Sequence, residues 1–173
     1  MRTLKLAMAV ALVVVGMTAG VKAAEVKPTT PTMQTAPPMH TIVAPGSIVW
    51  GPAPPGLPPG SKAAVLVGNP GAAGPFTLRA WLPNGYKVPP HWHATAEHLT
   101  VISGTLHVGM GETFDTSKAT AVGVGGLAVM PAQMGHWVWA EGDTILQVHG
   151  DGPFSITYFN PADDPRNQAT QPK

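Results

Sequence analysis

The sequence predicts an all-β domain, a small barrel or a jelly roll, on three observations. Short β-type runs such as "AAVLVG", "PFTLRAWL", "EHLTVIS", "GTLHVGM", "HWVWA" and "DTILQVH" alternate with turn signals. They recur at the roughly 8–12 residue spacing of a sandwich or barrel. The chain holds 20 glycines and 20 prolines in 173 residues with only 11% charged residues, which favours turns over long helices. No stretch carries a sustained 3.6-residue apolar period. The length suits a single domain.

The elements follow in order. "MRTLK" is basic, "LAMAVALVVVGMTAG" is apolar, and "VKA" offers small residues for cleavage after Ala23. This is the layout of a secretory signal peptide over residues 1–23. Its apolar run is shorter than the roughly 20 residues of a spanning helix. The expected destination is the periplasm or the exterior, with no membrane attachment after cleavage. Residues 24–45 are rich in Pro and Thr and read as a flexible lead-in, of which the end could pair as an edge strand. Residues 46–162 carry the β-type runs, and residues 163–173 read as a polar tail. "GETFDTSKA" is the one candidate for a helical turn. The net charge of +1 and the absence of a basic run argue against nucleic acid as a partner. The chain has no cysteine, so disulfides contribute nothing to its stability.

The chemistry concentrates in "HWHATAEH", residues 91–98. On a helix, residues two apart point to nearly opposite sides, so His91 and His93 would not share an ion. On a strand they share a face. Glu97 has the same parity, but four extended residues span about 13 Å, against metal–ligand bonds of about 2 Å. The chain must therefore bend at "ATA", residues 94–96, for Glu97 to open the next strand and face back. "KVPP" before the motif supports an extended approach. His136, after the turn "PAQMG", is the best fourth ligand. Three imidazoles and a carboxylate suit one divalent Fe, Mn, Ni, Cu or Zn ion, without selecting among them.

These residues resemble the cupin superfamily. Its first motif is matched without a gap by Gly85, "YKVPP", His91, Trp92, His93, "ATA", Glu97, "HLTVIS" and Gly104. Its second is matched by Gly125, "GLAVM", Pro131 and His136, with Gln133 where Gly is usual and Ala140 where Asn is usual. The resemblance covers most of residues 60–160 and is nearest to exported single-domain bacterial cupins. It implies a six- to eight-stranded double-stranded β-helix, the jelly-roll barrel, with the metal in its mouth. It also implies His91, His93, Glu97 and His136 as ligands, and a homodimer.

Other residues carry weaker signals. His149 shares a strand face with Gln147 and Ile145 and is the one candidate for a catalytic acid or base at the metal. His98 points away from the pocket, and His107 faces either side. Trp137 and Trp139 alternate away from His136 and are expected to pack outside, on an N-terminal segment or a partner subunit. Arg79 would bind a carboxylate if it faced inward, and is otherwise a solvated side chain. The inward positions are mostly aliphatic, which suits a small, largely apolar substrate with one chelating group. Two functions follow. One is a metalloenzyme of oxygenase, decarboxylase or isomerase type, dioxygenase-like by preference. The other is a non-catalytic, metal-bearing protein that binds a small ligand outside the cytoplasm.

Overall fold

A computed structural model describes residues 40–168. The expected signal peptide and most of the expected lead-in, up to residue 39, lie outside the described residues. Nine strands form one curled antiparallel sheet: β1 (Gly51–Pro52), β2 (Lys62–Val67), β3 (Gly74–Leu82), β4 (Lys87–Trp92), β5 (Glu97–Met110), β6 (Thr120–Val122), β7 (Leu127–Met130), β8 (His136–Gly152) and β9 (Thr157–Tyr158). This is the jelly-roll barrel that the sequence predicts.

The two longest strands organise the barrel. β5 runs antiparallel along β8 from Met110↔His136 to Glu97↔Gly150. The other edge of β8 pairs with β4 at its start and with β3 at its end. β5 carries β6 and β7 on its far edge. β9 pairs with β4 at His91 and Trp92. One strand, β8, thus delivers His136 beside His91, its cross-strand partner.

Alternation decides what faces the inside. In β3, Phe76, Leu78, Ala80 and Leu82 are buried while the residues between them are not. Leu99 and Val101 of β5, and Leu146 and Val148 of β8, join them in the core. Each fully buried aliphatic side chain stabilises the fold by roughly 1.5–3 kcal/mol. Gly104 permits a bulge between β5 and β8: its φ is +76°, and a Cβ there would lie 2.4 Å from Thr144 Oγ1. Only glycine avoids that clash and adopts this backbone without strain.

The outer face holds a correction. Trp137 is fully buried, yet what covers it is Phe114, ring centroids 4.4 Å apart, from the β5–β6 connection. Neither an N-terminal segment nor a partner is needed to bury it. The helical turn expected in residues 111–119 is a 3-10 turn over Thr116–Lys118 capped by Asp115. Among the described residues no helix is long and apolar enough to cross a membrane.

Beyond β9, a 3-10 turn (Pro161–Asp163) is followed by a short helix, α1 (Pro165–Gln168). Arg166 in that helix donates to the carbonyl of Ile156 at 3.0 Å. Tail residues 169–173 lie outside the described residues.

Candidate metal centre

β4 brings His91 and His93 to one face, and Trp92 between them is turned away and less buried. The chain then bends at residues 94 and 95, and β5 opens at Glu97. β8 opens at His136. All four side chains are buried, at 1% to 8% exposure. His91, His93 and His136 form a group in which one ligand nitrogen from each lies within 4.8 Å of the others. The Glu97 carboxylate sits 3.3 Å from His136 Nε2 and 3.6 Å from His93 Nε2. The bend inferred at "ATA" is thus present, and it places the acid against two of the imidazoles.

The tautomers are set by the backbone. Nδ1 of His91 contacts the carbonyl of Pro89 at 2.7 Å, that of His93 the carbonyl of Ser155 at 2.7 Å, and that of His136 the carbonyl of Met134 at 3.0 Å. A carbonyl only accepts, so each Nδ1 carries the hydrogen and each Nε2 keeps its lone pair. Nε2 of His93 and of His136 are buried with no hydrogen-bond partner. Such orphans are costly unless something binds them. Burial, reinforced by the neighbouring imidazoles His136 and His93, pushes the His91 pKa well below its ordinary value. Burial also lowers the His93 pKa, opposed by the Glu97 charge. His91 and His93 are therefore neutral at pH 7, the form that ligates metals. Oriented Nδ1–H donors, bare Nε2 atoms and a carboxylate at the same spot fit one divalent transition metal.

Phe154 supports this set. Its ring stacks on His93, centroids 4.3 Å apart and planes 19° apart, and also contacts Phe76 at 5.1 Å. No sequence signal marked Phe154, because its partner lies about sixty residues away along the chain.

The imidazoles open into a cavity of about 360 Å³. Its walls are mainly aliphatic, with Leu78, Leu82, Val88, Leu99, Val138, Leu146 and Val148 from the inner strand faces. Pro54–Leu57, Phe154–Ile156 and Arg166 also line it. The volume lies at the small end of ligand sites, roughly 300–1,000 Å³.

The remaining candidates face elsewhere. His149 is not among the residues lining the cavity. Its Nδ1 is 3.2 Å from Thr77 Oγ1, and its Nε2 is 3.1 Å from Gln147 Nε2. It lines a separate outer depression with His98, its cross-strand neighbour. The inward neighbours on that strand are Leu146 and Val148, so strand parity removes the geometric basis for acid–base work by His149 in the cavity. Arg79 also faces outward, donating to Gln147 Oε1 at 3.2 Å. His107 stacks on Trp139 at 3.9 Å and pairs with Glu141 at 2.7 Å. Gln133 takes φ 62°, the left-handed turn that the usual glycine would adopt freely. Its N–H donates to the carbonyl of His93 at 2.8 Å, tying the turn before His136 to the ligand strand.

Comparison with known proteins agrees with this geometry. Residues 78–150 match the cupin domain family. A search of curated proteins gives no sequence match. Among solved structures, a proposed acetylacetone dioxygenase of Methylibium petroleiphilum aligns with a TM-score of 0.59 at 18% identity, covering 77% of this chain and 90% of that one. The polyketide cyclase RemF of Streptomyces resistomycificus aligns with a TM-score of 0.59 at 18% identity, covering 78% and 95%. The dimethylsulfoniopropionate (DMSP) lyase DddQ of Ruegeria pomeroyi aligns with a TM-score of 0.53 at 16% identity, covering 67% and 63%. At such identities the likeness speaks for the fold alone. Residues 78–150 match the cupin domain family, and the chain shares a jelly-roll β-barrel fold with these solved structures.

Proposed function

We propose that the protein is a metal-dependent enzyme acting on a small, largely apolar molecule, of oxygenase, decarboxylase or isomerase type. The metal is one divalent transition ion held by His91, His93, His136 and Glu97. The observation that carries this reading is the set of backbone-fixed tautomers, which leave bare Nε2 atoms gathered at the end of an apolar cavity. Fold likeness to a proposed dioxygenase, a cyclase and a lyase is compatible with it and does not choose the reaction.

When bound, the metal supplies Lewis acidity toward a chelating oxygen of the substrate. The chain supplies the rest. The main-chain carbonyls hold the three imidazole rings in orientation. Glu97 balances part of the cationic charge, so an anionic or enolate-like oxygen suits the site. The aliphatic walls exclude water and strengthen every charge interaction within.

The test is elemental analysis of the purified protein, then oxygen uptake and product analysis with diketones, catechols and thiols. One equivalent of metal with turnover supports the proposal. Absence of metal after reconstitution with Fe, Mn, Ni, Cu or Zn refutes it. Stoichiometric metal with no turnover on any substrate would make the protein a metal-bearing binder of small ligands. Export and homodimer formation belong to the same proposal. N-terminal sequencing of the secreted fraction and sedimentation analysis check them.

A further inference from the structure

Part of the cavity wall is chain that lies outside the segment matching the cupin domain family, residues 78–150. Three pieces meet there: Pro54–Leu57 before the match, and Phe154–Ile156 and Arg166 after it. Their packing is tight at Gly56. A Cβ on Gly56 would lie 2.6 Å from Ile156 Cγ2, and 3.7 Å from the Arg166 guanidinium. Tyr158 donates its hydroxyl to the Gly56 carbonyl at 2.7 Å.

Arg166 draws the pieces together. It meets Asp164 in a two-point pair, Nε to Oδ1 at 2.7 Å and Nη2 to Oδ2 at 2.6 Å. The same Nη2 donates to the Ile156 carbonyl at 3.0 Å. A planar guanidinium engaged in a fork with a carboxylate is oriented as well as charge-balanced. Its cationic charge is therefore already met by Asp164.

We propose that the Asp164–Arg166 pair is a clasp that holds Gly56 against Ile156 and makes this wall the size filter of the cavity, selecting small, apolar-bodied ligands. Arg166 is then a specificity-determining residue through the position of the wall, and it is not a receptor for an anion. The inference rests on the cavity being a small-molecule site, as proposed above.

The test uses the full chain as purified, with metal content measured alongside. Three ligands are titrated calorimetrically: benzyl alcohol, the similarly sized anion benzoate, and the bulkier neutral biphenyl-4-methanol. Arg166→Ala, and independently Asp164→Asn, are expected to raise affinity for the biphenyl alcohol at least 5-fold. Benzyl alcohol and benzoate should each change less than 2-fold. Equal changes for both alcohols, or no change, would overturn the size filter. A 5-fold or larger loss of benzoate alone on Arg166→Ala would make Arg166 an anion receptor and overturn the proposal. If neither variant folds, by circular dichroism, the pair is a stability element and the proposal fails. Selectivity between the two alcohols does not depend on a bound metal. An unmetallated protein with shifted selectivity therefore sinks the enzyme reading while leaving the clasp standing.

Discussion

Two sets of histidines can be compared within one barrel. His91, His93 and His136 sit inside, with Nδ1 against main-chain carbonyls and Nε2 aimed at the cavity. His98 and His107 of β5 and His149 of β8 sit on the outer side of the barrel. There, His149 meets Thr77 and Gln147 through its two nitrogens, and His107 meets Glu141 and the Trp139 ring. The side chain is identical and the outcome is opposite. Outside, water or polar side chains satisfy the ring. Inside, a main-chain carbonyl meets each Nδ1, a carbonyl accepts and never donates, and Nε2 of His93 and of His136 has no hydrogen-bond partner. Inward parity and main-chain carbonyls together make a histidine a candidate metal ligand in this barrel.

The largest expected effect breaks the inner set. Alanine at His91, His93 or His136 should abolish stoichiometric metal, read by elemental analysis, while alanine at His98, His107 or His149 should leave it intact. Equal losses from both sets would erase the distinction. Next, Phe154→Ala removes the ring stacked on His93 and should weaken metal affinity by roughly 10–100-fold, the usual cost of losing a group that orients a ligand. Phe154→Tyr should retain most of it, and competition with a chelator measures both.

The metal-free protein offers a pH test. Burial depresses the His91 and His93 pKa values in the folded state, while in the unfolded chain they return to about 6.5. Below that value the unfolded state binds more protons, so stability falls as pH drops from 7 toward 5 and is flat above 7. Thermal unfolding should show this slope in the wild type, and His91→Gln should reduce it. The smallest effect sharpens the motif comparison. Gln133→Gly places a glycine at the left-handed turn and should raise stability by up to about 1 kcal/mol in denaturant titration. No gain would show that the Gln133 side chain compensates its own strain.

The ligand residues were legible because strand parity and a required bend are local rules. His91 and His93 are two apart, and Glu97 has to return across "ATA" to be useful. His136 was legible as a residue opening a strand after a turn. The β-type runs gave the barrel for the same reason, since alternation in a strand such as β3 is written in its own residues. What was not legible depends on contacts between distant segments. Gly56 meets Ile156 and Arg166 only because the barrel closes there. The polarity of "NPADDPRNQ" reads as a tail until Arg166 is seen bound to Ile156. His149 was misplaced because its face follows from which neighbours turn inward, and Leu146 and Val148 claim that side. Trp137 was correctly turned away from His136, but its cover, Phe114, came from a loop with no pattern of its own.

The acceptors for the three Nδ1 hydrogens belong to residues 89, 134 and 155, yet in each case the accepting oxygen is the peptide's own. A point mutation replaces a side chain and cannot delete a peptide oxygen. Drift or deliberate redesign at Met134 and Ser155 can therefore reshape the surroundings of the site while the rings stay aimed. The cavity is in this sense open to new ligands without having to rebuild the histidine cluster.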